Sequence, residues 1–503
     1  MTRLFKFATA QSWSWLIDLF LLGMGCLVFY MLWLGHYPLF TPDEGRYAEV
    51  AREMVRTHDY ITPRVDGVAF LDKPILYYWL EACAMHFFGV KEWAIRLFPA
   101  LFGVAGVLAV YLFGRGLFDR RTGILSASIL ATTPLYFGAA HYANLDLEVA
   151  VLMSGCLLAF VTAFTALRSY KQSLYFLLGV VLSAFAFLTK GLIGIVLPGA
   201  IIVCWLVLLR RWSLLAKMPL VIGMILFVAI ALPWYALVAR ANPEFLYYFF
   251  VTQQFARFVS VSNFNNQMSF WFYIPVVLIG FLPWTGFLLQ AFGKSFRAMS
   301  ANLQSASIQL YLLLWIVIFI LFFSIPHSKL VGYIVPVYPA LALLVGHYVS
   351  TAWEKLRWRV VVCMVSVALL LFGVVWYAEK LNPGSVKPLI LMLKPMLRPD
   401  DEVVNYFRFY YDTPIYLDRY VTLVADWHDS QLLEKDNWMR ELRMGVDLAS
   451  VTTLMDDAVF WKHFNSHTRV FVFADHRYLD RFKLHAQHYV ILGENHGVLL
   501  MEN

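Results

Sequence analysis

The side chains in this sequence that could do chemistry are charged residues set where an apolar chain has least reason to carry them. Thr41-Pro42-Asp43-Glu44-Gly45-Arg46-Tyr47 gathers Asp43, Glu44 and Arg46 where an apolar stretch ends, a costly arrangement unless something binds there. His141-Tyr142-Ala143-Asn144-Leu145-Asp146-Leu147-Glu148 sets two further carboxylates at the start of another stretch, where a helix-capping acid would look the same. Lys73, framed by Phe70, Tyr77, Tyr78 and Trp79, suits a phosphate. Arg257 closes the aromatic segment 245–258, and its planar fork can give two hydrogen bonds to phosphate oxygens, although an arginine reaching native headgroups reads alike. Asn263, Asn265, Asn266 and Gln267 follow it, and Lys329 and Tyr333 enter a later apolar stretch near its rim. Lys190 gets only a weak role, because a lysine in a tight turn can simply reach headgroups. For the other basic residues of segment 36–92 (Arg52, Arg56, Arg64, Lys91), compensation by acidic neighbours is the plain alternative. Carboxylates, phosphate-binding cations and aromatics thus come from separate segments, a pattern more specific than any one of its members.

Those residues need a bundle of membrane helices to bring them together. The 503-residue chain is 60% hydrophobic and only 15% charged, too apolar for an ordinary soluble protein. Stretches long enough to cross a ~30 Å hydrocarbon core predict about eleven spans, at 15–35, 93–114, 122–139, 146–167, 172–189, 191–209, 218–238, 269–292, 308–325, 329–350 and 358–378. The first is read as a retained helix. Basic residues concentrate in alternate short loops (Arg115, Arg120 and Arg121; Arg168 and Lys171; Arg210, Arg211 and Lys217; Lys294 and Arg297; Lys355, Arg357 and Arg359), which places those loops in the cytoplasm. Loops 36–92, 140–145, 189–191, 239–268 and 325–328, with the tail, then face outside.

Within loop 36–92, Thr41 before Pro42 and an acidic first turn predicts a short amphipathic helix lying at the membrane surface. Residues 1–378 are expected to form the membrane domain. Residues 379–503, with β-branched and aromatic runs such as Val470–Ala474 and Tyr489–Gly493, are expected to form a small soluble α/β domain. The five cysteines are isolated, which argues against a disulfide framework. No metal-ligand spacing appears, so neither a metal nor another cofactor is expected. The net charge of +7 reflects cytoplasmic lysines and arginines in a membrane protein rather than nucleic-acid binding. A lipid or solute transporter would carry charges inside its spans, whereas here the polar residues crowd at one surface.

The sequence resembles the bacterial C superfamily of glycosyltransferases, most closely the ArnT family of lipid A aminoarabinose transferases. The resemblance rests on Asp43–Glu49 with Arg52-Glu53-Met54, Asp72-Lys73-Pro74 through Tyr78-Trp79, Leu188–Gly191, and Phe270–Tyr273 with Leu282-Pro283-Trp284. It continues in Ser328-Lys329-Leu330 with Tyr333–Pro336, and in the tail at Asp412–Leu417 and Val421–Val424. It implies that Asp43 and Asp146 are the acidic residues of the reaction centre, and that Lys73 and Arg257 bind the carrier-lipid phosphate. Arg46, Tyr47, Tyr78 and Tyr333 would line the cavity, and Glu44 and Lys329 are added as substrate-binding candidates. Asp72 and Gln254 stand where glutamate and histidine are common in the family. The implied reaction moves a sugar, most plausibly 4-amino-4-deoxy-L-arabinose, from undecaprenyl phosphate to lipid A or lipopolysaccharide outside a bacterial inner membrane. It is expected to be inverting and metal-independent, and to confer resistance to cationic peptide antibiotics. Transfer of another sugar, or transfer to protein hydroxyls as in protein O-mannosyltransferases, is the rival.

Overall fold

The computed structural model describes residues 14–259, 265–380, 382, 384–429, 437–443 and 451–503; the expected polar residue Asn263 lies outside them. Among the described residues, eight helices are long and apolar enough to cross a membrane, between Ser14–Met31 and Trp353–Tyr377. Two helix pairs are apolar enough when taken together, and are bent by 66° between 120–131 and 134–140 and by 98° between 270–280 and 284–301. Pro134 and Pro283 stand at the two breaks, where proline's missing N–H and its clash with the preceding turn interrupt a helix. The expected span 191–209 is the shorter helix Ile193–Leu209, about 26 Å at 1.5 Å per residue. Each apolar stretch is thus helical, and the chain is a polytopic α-helical membrane protein.

Helix Leu145–Thr165 forms the middle of the bundle, with nearly every side chain buried. Asp18 in the first span is satisfied locally: its carboxylate binds Arg120 at 2.7 Å and Arg115 at 3.1 Å, and accepts from the Tyr111 hydroxyl at 2.7 Å.

The tail carries a six-stranded sheet in the order β5-β4-β3-β6-β8-β7. Strands β3 (Glu402–Tyr406), β4 (Thr422–Ala425), β5 (Leu454–Asp456) and β6 (Val470–Asp475) are parallel, while β8 (Val498–Glu502) pairs antiparallel with β6 on one side and with the edge strand β7 (Val490–Asn495) on the other. The continuous run Val470–Ala474 is buried on both faces because β6 lies inside the sheet. A two-stranded ribbon, β1 (Arg64–Val65) with β2 (Val68–Ala69), belongs to the first loop.

Loop and tail share one apolar core, in which Val50, Met54, Val65, Phe70 and Ile75 meet Tyr411, Leu423, Phe471 and Phe473. Polar ties reinforce it. Arg52 binds Asp418 at 3.0 Å, Asp66 accepts from the Val421 N–H at 3.0 Å, and Lys387 pairs with Glu92. This docking puts a cover of tail residues over the expected first-loop helix. Helix Asp43–Thr57 is buried from Glu44 to Met54 except at Arg46, on its polar side as well as its apolar one. Thr41 does not cap that helix; Pro42 occupies the cap position and the Thr41 hydroxyl donates to the Gly384 carbonyl at 3.2 Å.

Candidate active site

The site lies where the membrane bundle, the first loop and the tail meet, around a cavity of about 530 Å³. Asp43, Arg46, Tyr47, Lys73, Asp146, Arg257 and Tyr333, expected from sequence, all line it. Asp43 sits in the first turn of helix Asp43–Thr57, where the helix dipole favours a carboxylate. One of its oxygens accepts from Arg46 Nη2 at 2.7 Å, while the other Arg46 terminal nitrogen reaches Glu441 at 2.7 Å. Arg46 also lies over the rings of Tyr47, Phe70 and Tyr411, at 5.5, 5.7 and 5.9 Å. A guanidinium held between two carboxylates and three rings is fixed in place, and it fixes Asp43.

Asp146 opens helix Leu145–Thr165 but is not its cap. Asn144 takes that task, its side-chain oxygen accepting the Asp146 N–H at 2.9 Å. The Asp146 carboxylate is thereby left for the cavity, where it pairs with Lys190 from the end of helix Ser169–Lys190. Lys190 also stands over the Tyr333 ring at 4.2 Å. The backbone of Gly332 closes on Asp146 so tightly that a Cβ there would lie 2.0 Å from Asp146 Oδ2.

Lys73 lines the same cavity. Its ammonium donates to the Asp72 carbonyl at 3.3 Å. Burial first, then Arg257, Lys190 and Arg46, push its pKa down, against the pull of Asp72. A cation crowded by cations gains most from an incoming anion. Arg257 follows a ten-residue π-helical stretch, Tyr247–Ala256, a geometry frequent at functional sites. That stretch is tied to the first loop by Asp72, which accepts from the Tyr248 hydroxyl and from Gln253 Nε2.

Lys73, Lys190, Arg257 and Tyr333 line a second space as well, an apolar groove of about 250 Å³ walled by Leu192, Ile193, Val196, Phe255, Phe258, Phe322 and Phe323. Another recess of about 370 Å³ reaches Asp43 and Asp146 between Leu135, Leu147, Val331 and Val335.

Three expected residues do not face the cavity. Glu44 is fully buried, clamped by Arg96 Nε and Nη2 at 2.8 and 2.6 Å and by the N–H groups of Phe40 and Ala143, both at 2.7 Å. Its charge serves the structure. Tyr78 is fully buried against Tyr47, with ring centroids 5.9 Å apart, and touches neither space. Lys329 is buried and donates to the carbonyls of Met268 and Pro326, fastening segment 266–268 against 327–329.

Sequence reasoning missed Glu441 and the tail segment 408–411, which line the cavity, and it undervalued Lys190. Lys190 stands alone in its turn and its partner lies 44 residues away; tail charges stand in a polar region where charge is ordinary. Among the described residues no group of three or more His, Cys, Asp and Glu is placed to hold a metal.

The sequence and the fold are similar to those of known proteins. Residues 72–236 match the family of dolichyl-phosphate-mannose-protein mannosyltransferases. The structure superposes on the crystal structure of ArnT from Cupriavidus metallidurans bound to undecaprenyl phosphate, with a TM-score of 0.84, 24% identity, and 98% of each chain covered. A more distant likeness, at a TM-score of 0.54 and 12% identity over 93% of this chain and 70% of the other, is to the archaeal oligosaccharyltransferase AglB from Archaeoglobus fulgidus. Undecaprenyl phosphate-alpha-4-amino-4-deoxy-L-arabinose arabinosyl transferases are similar in sequence. That of Erwinia tasmaniensis is 34% identical over 64% of this chain and 57% of its own length, and that of Aeromonas hydrophila 32% identical over 66% and 59%. The matches to these two relatives thus span less than two thirds of their length. The fold is that of the ArnT crystal structure. In sequence the chain is similar to the arabinosyl transferases over about two thirds of its own length.

Proposed function

We propose that this protein transfers a sugar from a polyprenyl phosphate to a lipid acceptor at the periplasmic face of a bacterial inner membrane. The favoured sugar is 4-amino-4-deoxy-L-arabinose carried on undecaprenyl phosphate, and the favoured acceptor is lipid A. The observation that carries this reading is the double placement of Lys73 and Arg257, which line both the polar cavity with Asp43 and Asp146 and the apolar groove beside it. A polyprenyl phosphate sugar has the matching order of parts: an isoprenoid chain for the groove, a phosphate for the two cations, and a sugar for the carboxylate-lined cavity.

In the reaction, an acceptor oxygen forms a bond to the anomeric carbon while the bond from that carbon to the donor phosphate oxygen breaks. The leaving polyprenyl phosphate keeps the electron pair, and Lys73 and Arg257 stabilise the charge that develops on it in a site screened from water. A phosphate acceptor is already an anionic nucleophile, so Asp43, held by Arg46, orients the acceptor or the sugar. A hydroxyl acceptor would need Asp43 as general base. Attack from the side opposite the leaving phosphate gives inversion. The recess between Leu135, Leu147, Val331 and Val335 offers acyl chains a second approach to the carboxylates, which favours a lipid acceptor over a protein one. The tail, residues 379–503, closes the site from the periplasm.

The test is reconstitution of the purified chain in vesicles with synthetic undecaprenyl-phosphate aminoarabinose and lipid A. Release of undecaprenyl phosphate matched by glycosylated lipid A is expected, with the donor KM raised about tenfold or more by Lys73→Ala or Arg257→Ala. Turnover only when a serine- or threonine-containing peptide replaces lipid A would instead establish the protein-directed reaction.

A further inference from the structure

The tail sheet holds a feature that the donor chemistry leaves unused. Its parallel strands run β5-β4-β3-β6, so the chain leaves β3 toward one edge and returns through β6 on the other side of β3. The loops after β3 and β6 therefore diverge, and in open α/β sheets this reversal point, at the carboxyl ends of the strands, is where ligands bind. Arg408 stands on the loop after β3 and Arg477 on the loop after β6, and Asp475 ends β6 between them.

Both guanidiniums use the one carboxylate: Arg408 reaches Asp475 at 3.7 Å and Arg477 at 3.2 Å. The Arg408 side chain keeps 43% of its surface exposed and rests over the Tyr410 ring at 5.1 Å. Arg408 and Tyr410 also line the reaction cavity. The crevice thus opens toward Asp43 and Asp146 and presents a positive pole there. It is a different pole from Lys73 and Arg257, since Arg408 does not touch the apolar groove that those two share.

A cavity with one cationic pole beside an apolar groove and another, partly exposed, on a tail loop fits a reaction between two anionic partners. We propose that the reversal-point crevice of the tail is the acceptor subsite, and that Arg408 is a specificity-determining residue which binds a phosphomonoester of the acceptor. Its planar fork gives two hydrogen bonds to a phosphate, with Tyr410 as a shelf and Asp475 holding the arginine in place when the site is empty. This rests on the transferase reading above for its account of what the acceptor does next, but binding can be read without turnover.

The experiment measures binding of bisphosphorylated lipid A, and of its counterpart lacking the 1-phosphate and its counterpart lacking the 4′-phosphate, to the purified full chain in detergent without donor. Wild type, Arg408→Ala and Arg408→Lys are compared, and initial rates are then taken in vesicles. Arg408→Ala is expected to weaken binding of the bisphosphorylated lipid about tenfold or more. It should erase the wild type's preference for that lipid over one of its dephosphorylated counterparts, and it should leave the donor KM within about twofold of wild type. Arg408→Lys, which keeps the charge but loses the fork, should fall between. Equal binding by wild type and Arg408→Ala, or no preference of the wild type for the bisphosphorylated lipid over either counterpart, overturns the proposal. Arg408-dependent binding without any turnover would uphold the subsite and count against the transferase reading instead.

Discussion

Glu44 is the residue for which sequence and structure disagree most, and its replacement separates the two accounts. Its carboxylate receives four hydrogen bonds, two from Arg96 and one each from the N–H groups of Phe40 and Ala143, while both Glu44 and Arg96 are wholly buried. Arg96 donates in addition to the carbonyls of Leu34, Tyr37 and Pro38 at 2.9–3.0 Å. Glu44→Ala would leave the guanidinium with those carbonyls and no counter-charge. Breaking a buried ion pair on one side costs about 3–5 kcal/mol, which at ~1.4 kcal/mol per tenfold is a loss of roughly two to nearly four powers of ten in the folded ratio. The assay is fluorescence-detected size exclusion in detergent after graded heating, with the donor KM measured on whatever protein remains folded. Glu44→Ala and Arg96→Ala should each lower the midpoint strongly. The double variant should cost less than their sum by about 2 kcal/mol or more, because the partners are coupled. An unchanged midpoint together with a raised donor KM would refute this reasoning and restore Glu44 to substrate binding.

Other perturbations test the cavity itself. Lys73 must be protonated to hold a phosphate, and burial with neighbouring cations brings its pKa down to about 8. Its charge is therefore present below that pH and lost above it, so the donor KM should rise as pH goes from about 7 to 9. Lys73→Arg, which stays charged throughout, should flatten that profile. Gly332→Ala would put a methyl 2.0 Å from Asp146 Oδ2; kcat should fall by about tenfold or more while the thermal midpoint holds, and full activity would show that Asp146 need not stay where it is. Lys190→Ala and Asp146→Asn should each reduce kcat, and the double variant should be little worse than either single one, since the two form one unit; additive losses would separate their roles.

The membrane architecture was legible because hydrocarbon tolerates so few sequences: each long apolar stretch is a helix or a bent pair, and only the stretch at 191–209 proved short. Asp43, Lys73, Asp146 and Arg257, which line the cavity, stood out for the same reason, since charge in an apolar chain is conspicuous. The failures share a cause too. A charge needed for structure and one needed for a ligand give the same signal, and the partner that tells them apart lies far along the chain. For Glu44 it is Arg96, 52 residues on. Lys329 carries the look of a rim cation but spends its ammonium on backbone carbonyls, and Tyr78 is absorbed by packing against Tyr47. The tail's part in the cavity had no signal at all, because residues such as Arg408 and Glu441 are unremarkable in a polar sequence until the sheet docks on the first loop.

The central claim, sugar transfer from a polyprenyl phosphate to lipid A at a site containing Asp43, is tested most directly in cells. Wild type and Asp43→Asn would be expressed in a host that makes undecaprenyl-linked aminoarabinose but lacks its own transferase, and lipid A would be read by mass spectrometry. The account predicts the added mass of aminoarabinose with the wild type only, at matched membrane levels of the two proteins. Unmodified lipid A with the wild type, or equal modification by Asp43→Asn, would contradict it.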